Sequence, residues 1–391
     1  MNEIMQSDTC NHVLKHDECT GCGACYNICP KDSITMQMDS EGFYYPVVNE
    51  EGCLNCGLCL KVCKNERVST ADIRKAYAVN AYDDELRKRS SSGGVFGLIS
   101  SYILQNGGYV FGAGFDEHFN VRHECIDNEE ELDRVLRSKY AQSSIGSVFK
   151  EIKQKLLEDS YVLFCGTPCQ CKGLCNYLGK SYEKLLIIDF VCHGVPSPGI
   201  WQQYLSEFNK KPVKVNFRDK SHGWKGYYIN IDFEDGSNYL RNGAEDEYIQ
   251  GFLWDIYLRP SCYRCDVKDN NRYSDLTIAD FWGINEVEAD MNDNKGTSLV
   301  VTNTVKGENY YKECIEGNSK NISVNLKDAM KRNVSYYEKA HLTDERKCFY
   351  KLYYKGKGNK KLAGIVKNFT KPGIFGKIRR KMNYKKAHIS F

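Results

Sequence analysis

Two runs of cysteine near the N-terminus share one spacing that indicates metal chemistry. Cys19, Cys22, Cys25 and Cys29 form the first run, and the same C-x2-C-x2-C-x3-C pattern recurs about two dozen residues later. Three closely spaced thiolates of such a run bind one [4Fe–4S] cluster, and the fourth cysteine binds the other. The spacing therefore predicts two clusters. We name their ligands the first-run set, which is Cys19, Cys22, Cys25 and Cys63, and the second-run set, which is Cys53, Cys56, Cys59 and Cys29.

Zinc sites or a disulfide framework are the alternatives. Zinc bound by C-x2-C pairs would need only half of each run. Residues 1–15 are polar and lack the apolar core of a signal peptide, and no stretch approaches 18 consecutive apolar residues. We therefore expect a cytoplasmic protein without a transmembrane segment, in which thiolates stay reduced and bind metal. Tandem runs with Pro30 after the first favour the dicluster module of bacterial-type ferredoxins.

A further group of cysteines is spread along the chain. Cys169 and Cys192 each follow a predicted buried strand, and Cys262 and Cys265 form a C-x2-C pair after Arg259-Pro-Ser261. Because strand ends of this kind meet at one edge of an open sheet, the group could bind a third [4Fe–4S] cluster. This body set is Cys169, Cys192, Cys262 and Cys265. Cys165, Cys171 and Cys175 compete for the same role, whereas Cys10, Cys125, Cys314 and Cys348 are isolated and expected to be structural.

Patterns beyond the cysteines predict a mixed α+β and α/β fold. A small 2[4Fe–4S] ferredoxin-like domain, with a hairpin of Ile34–Met38 and Phe43–Val48, precedes a larger α/β body. Buried strands at 161–164 and 185–191 around a helix ending at Leu178 indicate a partly parallel sheet. Alternation at 227–233 indicates antiparallel strands. Further strands are expected at 76–81 and 109–115, and further helices at 95–104, 129–137, 148–157 and 200–208.

Residues 76–300 resemble the family of beta subunits of coenzyme F420 hydrogenases and dehydrogenases. The matching segments, in order, are Ser91–Gly94, Lys139–Ser143, Gly166–Gln170, Asp189–Pro198, Phe217–Lys220, Gly223–Lys225, Arg259–Tyr263 and Asp280–Gly283. The resemblance implies a flavin, usually FAD, beside a [4Fe–4S] cluster, and electron or hydride exchange with an organic partner. We therefore divide the chain into the ferredoxin-like domain at 1–66, the N-terminal part of the flavin-binding body at 67–150, its C-terminal part with flavin and third cluster at 151–325, and a basic extension at 326–391.

Two loops have the composition of phosphate-binding turns. Ser91–Gly94 precedes an apolar helix, and Gly166–Pro168 follows a buried strand, so the N–H groups of both loops could bind a pyrophosphate. An ordinary helix N-cap is the alternative. The candidate flavin-binding residues are Ser91, Ser92, Gly93, Gly94, Lys139, Gln142, Ser143, Gly166, Thr167, Pro168 and Gln170. Lys139 could instead be solvated.

Proton transfer would accompany hydride chemistry at a flavin. His193, Lys220 and Asp280 are the candidate catalytic residues, because each is titratable and lies in a matching segment. Trp224 and Trp282 could stack on a ring system, although at least one is expected to be core.

Charge is distributed unevenly in a chain of net charge +3. Fifteen Lys and Arg and no Asp or Glu follow from residue 346 onward, which leaves 39 basic and 51 acidic residues before it. The basic tail could be a solvated extension, a dock for an acidic electron donor, or a membrane-surface anchor formed by residues 373–382. Nothing predicts nucleic-acid binding.

Three functions remain open on sequence grounds. The first is an iron–sulfur flavin-dependent oxidoreductase that passes electrons between ferredoxin or another redox protein and an unknown small molecule. The second is an electron-transfer subunit of a larger hydrogenase or dehydrogenase complex. The third is a redox sensor, and no feature of the sequence specifically indicates it.

Overall fold

A computed structural model describes residues 16–63, 73–355 and 362–370. Within these ranges no helix is both long and apolar enough to span a membrane. Cys10 and the proposed membrane-surface segment at 373–382 lie outside them.

The strands follow the alternating and continuous apolar patterns of the sequence. They are β1 (Ile34–Met38), β2 (Tyr44–Val48), β3 (Lys75–Ala81), β4 (Tyr109–Phe115), β5 (Val121–Ile126), β6 (Val162–Cys165), β7 (Leu185–Phe190), β8 (Pro212–Asp219), β9 (Tyr228–Phe233), β10 (Asn238–Asn242), β11 (Leu276–Asp280), β12 (Ser298–Thr302) and β13 (Ser319–Val324).

The helices connect and cover these strands. They are α1 (Ala24–Ile28), α2 (Leu58–Cys63), α3 (Asp84–Arg89), α4 (Val95–Gln105), α5 (Leu132–Val135), α6 (Val148–Leu157), α7 (Pro168–Leu178), α8 (Pro198–Ser206), α9 (Glu247–Leu253), α10 (Ile284–Val287), α11 (Val305–Cys314), α12 (Leu326–Met330), α13 (Asp344–Lys355) and α14 (Leu362–Thr370).

An eight-stranded mixed sheet organises the body, with the strand order β13-β3-β12-β11-β7-β6-β4-β5. Strands β4, β6, β7 and β11 pair in parallel, whereas the outer strands pair antiparallel. The partly parallel sheet is therefore confirmed. Because the four central strands run the same way, the loops after Phe115, Cys165, Phe190 and Asp280 leave the sheet at one edge, where open α/β sheets bind ligands.

A three-stranded antiparallel sheet, β10-β9-β8, lies outside the large sheet, as alternation at 227–233 predicts. Its buried residues Phe217, Ile229 and Ile231 pack with Trp201 and Tyr248 of helices α8 and α9. This second core fixes β8, whose C-terminal residues reach the candidate site described below.

Most of the predicted elements are found close to their expected bounds. The helix predicted at 129–137 is shorter, because a 3-10 turn at Glu129–Glu131 leads into α5, which ends at Val135. Arg137 follows with a φ of 70°, a left-handed conformation that stops a helix.

The basic tail differs from its predicted character. Phe349 of α13 and Val366 and Phe369 of α14 are fully buried in the core around α8 and α9. A solvated extension is therefore wrong for these two helices, because their apolar faces are needed to complete the core. Net charge over the tail hid that amphipathic pattern.

The ferredoxin-like module packs against the body through its own short helices. The Asn27 side chain donates to Gly146 O at 2.8 Å and accepts from Lys150 N at 3.2 Å. On α7, Asn176 donates to Val62 O at 3.1 Å. These bonds connect α1 and α2 to α6 and α7, so the two cysteine runs lie against the helix that begins beside Cys169.

Candidate iron–sulfur and cofactor sites

The second-run set lines one pocket of the ferredoxin-like module. Cys29, Cys53, Cys56 and Cys59 all face it, together with apolar side chains such as Ile34 and Val48. Gly57, with a φ of 71°, supplies the left-handed turn that starts α2. Four thiols from both runs around one apolar pocket form a donor set suited to a [4Fe–4S] cluster.

The first-run set lies deeper, against the body. Helix α1 carries Cys25 and packs against α2, which ends at Cys63. Burial raises the pKa of Cys22, the neighbouring Cys19 raises it further, and Arg259 opposes both. Gly21 leaves room for this arginine, since a Cβ there would lie 2.8 Å from Arg259 Nη1.

The body set is brought together from three loops. Cys169 opens α7 after β6, Cys192 follows β7, and a 3-10 turn at Pro260–Arg264 holds Cys262 just before Cys265. The other three cysteines each act electrostatically on Cys169. Burial raises the pKa of Cys192 to about 11 and that of Cys262 to about 12. Sequence positions almost one hundred residues apart thus converge on one group of partly buried thiols.

Competing cysteines have other contacts. The Cys171 thiol donates to Gly166 O and Ile188 O, at 3.7 and 3.6 Å, and the Cys175 thiol donates to Tyr273 O at 3.4 Å. Burial raises the pKa of Cys165 to about 12. Cys314 and Cys348 are buried and Cys125 is partly buried.

In the described ranges no three His, Cys, Asp or Glu side chains are arranged to hold one metal ion. The three cysteine sets still match the four-thiolate donor chemistry of [4Fe–4S] clusters, in which each thiolate binds a different iron.

The loop after β6 uses its polar groups locally. Thr167 N donates to Gln170 Oε1 at 3.0 Å, and Gln170 N donates to Thr167 Oγ1 at 3.4 Å. With Pro168 in the first turn, this is a capping box, which satisfies free N–H groups of α7. Gln170 Nε2 also donates to Ser143 Oγ at 3.0 Å. These groups therefore follow the N-cap alternative, and Gly166 lies between them and β6.

Lys139 and Gln142 are also engaged within the protein. Lys139 Nζ donates to Leu136 O at 2.6 Å and to Arg134 O at 3.1 Å, which satisfies carbonyls at the end of α5. Burial lowers its pKa to about 7. Gln142 Nε2 donates to Thr20 O at 2.9 Å and contacts the ferredoxin-like module.

The Ser91–Gly94 loop lies at the edge of the large sheet where the central parallel strands end. Ser91 Oγ lies 3.1 Å from Ser138 Oγ, Ser92 Oγ donates to Thr297 O at 2.8 Å, and Gly93 N donates to Ser298 Oγ at 2.9 Å. Gly94, with a φ of 97°, begins α4. Ser91 of this loop and Ser138, which follows α5, thus form a pair of adjacent hydroxyls, called the serine pair below.

Lys220 reaches this loop from the end of β8. Its Nζ donates to the carbonyls of Arg87, Ser92 and Lys295 at 2.5, 3.2 and 3.0 Å. Burial lowers its pKa to about 8, and Arg87 lowers it further while Asp280 opposes the change. Lys220 therefore ties the loop to β8, and its three N–H donors are all used by backbone carbonyls.

Asp280 lies at the centre of a buried polar group that sequence reasoning only partly found. It accepts from Trp224 Nε1 at 3.0 Å and pairs with Arg218 Nη2 at 2.9 Å. Arg218 is 3% exposed, and its buried Nε has no hydrogen-bond partner among the described residues. Tyr140 lies close enough to interact with both Arg218 and Ser138. These contacts connect Asp280 to the serine pair.

The two tryptophans stack on each other, with ring centroids 4.9 Å apart and planes 6° apart. Trp224 is 1% exposed, so the expectation that one is core is confirmed. Trp282 is partly buried, and Arg218 lies over its ring at 5.2 Å.

His193 follows Cys192 but lies away from this polar group. Its Nε2 is 2.7 Å from Asp255 Oδ1, its Nδ1 is 3.3 Å from Ser335 Oγ, and Phe252 packs edge-on against the ring. The three candidate catalytic residues therefore divide into His193 beside the body set and Lys220 with Asp280 at the sheet edge.

Sequence reasoning missed Arg218 and Arg259. Both stand inside matching segments, between Phe217 and Lys220 and immediately before Pro260. A buried arginine leaves no periodic pattern, so only the segment match could have drawn attention to them.

Family models and known proteins match parts of this chain. Residues 159–325 match the model for the C terminus of the coenzyme F420 hydrogenase/dehydrogenase beta subunit, and residues 18–66 match the model for a 4Fe-4S dicluster domain. The F subunit of F(420)H(2) dehydrogenase from Methanosarcina mazei is 23% identical over 258 residues, which span 59% of this chain and 71% of that protein. A chain of the F420-reducing [NiFe] hydrogenase complex of Methanosarcina barkeri aligns with a TM-score of 0.47 at 14% identity, over 76% of this chain and 97% of that one.

The chain is thus an iron–sulfur protein in which a dicluster module is joined to a mixed α/β body. Its residues 159–325 match the C-terminal part of coenzyme F420 hydrogenase/dehydrogenase beta subunits, and the resemblance predicted from its motifs is confirmed.

Proposed function

We propose that this chain carries electrons between a redox partner protein and an organic two-electron substrate, through three [4Fe–4S] clusters and a flavin. The observation that supports it best is the adjacency of the cysteine sets. On α7, Gly173 is one turn from Cys169, and a Cβ there would lie 2.9 Å from Cys22 Sγ. Ligand candidates of the module and of the body therefore meet across a single helix.

The cysteine sets are the proposed cluster ligands. When bound, clusters accept and release single electrons, and a flavin links such steps to two-electron chemistry. The chain's own residues partly shield these sets from solvent, and desolvation raises the pKa values of Cys22, Cys169 and Cys262. A dry, hydrogen-bonded setting is what controls the potential of such a centre.

The edge of the large sheet is the proposed flavin site. Arg218 offers a buried Nε without a partner in the described ranges, Ser91 and Ser138 offer hydroxyls, and Trp282 offers an aromatic face. A positive charge beside hydroxyls suits an anionic or carbonyl-rich ligand. Both FAD and FMN fit this description.

Proton handling is assigned to two places. Lys220, with a pKa lowered to about 8 by burial, can hold or release a proton at Nζ beside the Ser92 carbonyl. Asp280 holds Arg218 and Trp224 in place through its two oxygens. His193 is held by Asp255 and could pass protons at Nε2 near the body set.

Two versions of this function differ in where the substrate is converted. In one, the chain alone reduces or oxidises a small molecule; in the other, it serves a larger hydrogenase- or dehydrogenase-type complex. The relative from Methanosarcina mazei is named as a dehydrogenase subunit, which favours the second version. Turnover by the purified chain alone would instead favour the first.

Flavin content tests the proposed site. We expect about one flavin per chain after anaerobic purification and incubation with FAD or FMN. Arg218→Gln should lower that ratio, because it removes the buried charge. Arg332→Gln should not, since Arg332 is exposed and pairs with Glu286 on the surface. Absence of flavin from the wild-type chain under both conditions would overturn the flavin assignment.

A further inference from the structure

Arg259 is buried beneath the ferredoxin-like module and makes its contacts there. The residue is 0% exposed. Its Nε donates to Cys19 O at 2.7 Å, Nη1 to Gln142 Oε1 at 2.8 Å, and Nη2 to Tyr44 O at 3.0 Å and to Cys19 Sγ at 3.6 Å. Its ring neighbour Tyr45 lies 4.2 Å below the guanidinium. These acceptors are carbonyl oxygens and a thiol, and none of them is a carboxylate.

The backbone of Arg259 belongs to the body set's own loop. Its N donates to Val195 O at 3.0 Å, and its carbonyl accepts from Cys262 N at 2.9 Å. Val195 N in turn donates to Cys262 Sγ at 3.4 Å. The arginine charge acts electrostatically on both Cys22 and Cys262. One residue therefore contacts a first-run cysteine with its side chain and supports a body-set cysteine with its main chain.

Helix α7 provides a second, independent link to the same set. Cys169 and Gly173 are four residues apart and share a helix face. A side chain at Gly173 would meet Cys22 Cβ and Sγ at 2.9 Å. The second-run set lies elsewhere, in a pocket bordered by exposed residues: Cys56 is exposed and Leu54 is 60% exposed.

We propose that the first-run set is the one that exchanges electrons with the body set, and that Arg259 is the positioning residue that couples them and makes reduction at the first-run set easier. This deepens the proposed function and rests on its clusters. One electron leaves one centre as the other gains it, with no bond broken and no proton required. The second-run set, near solvent, is then where the outside partner's electron enters or leaves.

The physical reason is the charge of the guanidinium. A reduced centre carries one more negative charge than an oxidised one, and a buried cation at hydrogen-bond distance from a ligand sulfur stabilises it. Its removal should shift the potential of the nearby centre downward and leave the distant one unchanged.

Redox titration followed by electron paramagnetic resonance tests this on the full chain. Arg259→Gln should make the midpoint potential of one ferredoxin-module cluster more negative without loss of iron. Arg259→Lys should shift it less, because it keeps the charge. The matched control is Arg346→Gln: Arg346 is also buried at the module boundary, but it pairs with the Glu41 carboxylate instead of a thiol.

Unmoved potentials in an Arg259→Gln chain with full iron would overturn the inference, as would an equal shift in Arg346→Gln. A second measurement covers loss of folding. Cys262→Ala should remove the magnetic broadening that the body cluster causes in the signal of one module cluster, and leave the signal of the other unchanged. Equal effects on both module clusters would contradict the proposal that only the first-run set lies next to the body set. If the wild-type chain lacks the body cluster, the proposed function fails; if twelve irons are present but the potentials stay, only this inference fails.

Discussion

Burial determines the chemistry of single residues in the body. The thiols of Cys169, Cys192 and Cys262 all have pKa values raised mainly by desolvation. Such thiols stay protonated at neutral pH unless bound metal compensates the thiolate charge. Assembly of the proposed cluster must therefore release protons.

His123 is a residue whose environment affects stability instead of chemistry. It is 6% exposed, stacks on Phe164 at 5.2 Å, and lies with Nε2 3.0 Å from Cys165 O. Burial lowers its pKa to about 4. The folded protein keeps this imidazole neutral where an unfolded chain would protonate it.

This pKa predicts an acid-sensitive stability. Above the ordinary value of 6.5 the histidine is neutral in both states and has no effect on stability. As pH falls from 6.5 towards 5, only the unfolded state gains a proton, so the folded state loses on the order of 1–2 kcal/mol.

Melting temperatures of the anaerobic holoprotein between pH 7 and 5 measure the effect. His123→Gln should flatten the decline, while the exposed His118→Gln should melt like the wild type. Identical slopes of melting temperature against pH in all three proteins would show that His123 does not cause the loss of stability.

At the scale of elements, α7 does more than close a crossover between two strands. Its first turn carries Cys169, its middle carries Gly173 against Cys22, and Asn176 holds the end of α2 through Val62 O. The helix thus sets the spacing between module and body.

Gly173 is predicted to be needed for its small size. In a free helix Gly→Ala would stabilise by about 1 kcal/mol. Here Gly173→Ala should instead destabilise by about 1–3 kcal/mol, because the new methyl overlaps Cys22.

Gly364→Ala is the matched control for thermal melting, because Gly364 is also helical and a Cβ there meets nothing within 4 Å. If both variants are equally stable, the close approach at Gly173 has no structural importance.

Local patterns explain which elements sequence could predict. The continuous apolar stretches of β6 and β7 and the motif loops after them are visible in the chain, and so are both cysteine runs. The packing of α13 and α14 was not predicted, because the net positive charge of residues 346–391 hid the apolar Phe349, Val366 and Phe369.

The candidate site was predicted less completely than the fold. Motifs identified Lys220 and Asp280, but not that Arg218 joins them or that Thr167 and Gln170 cap α7. Buried polar partners come from distant strands, and their meeting depends on three-dimensional packing that spacing does not encode.

At the scale of the molecule, the module is attached to the body along several faces. The Arg346 guanidinium of α13 donates from Nη1 to Glu41 Oε1 at 3.0 Å, and Ser197 Oγ donates to Glu41 O at 2.7 Å. The first residue of the basic tail therefore binds the module's hairpin. Within the described ranges these two contacts help to fix the position of the module's cysteine sets relative to the body set.

The proposed function requires three sets of four thiols, each for one cluster. Iron and acid-labile sulfide per chain, measured after anaerobic purification, test it most directly. About twelve of each are expected in the wild type, about eight in Cys169→Ser, and about twelve in Cys171→Ser, whose thiol donates to two carbonyls of the described residues. About eight irons in the wild type, or equal iron in both variants, would contradict the assignment of three clusters.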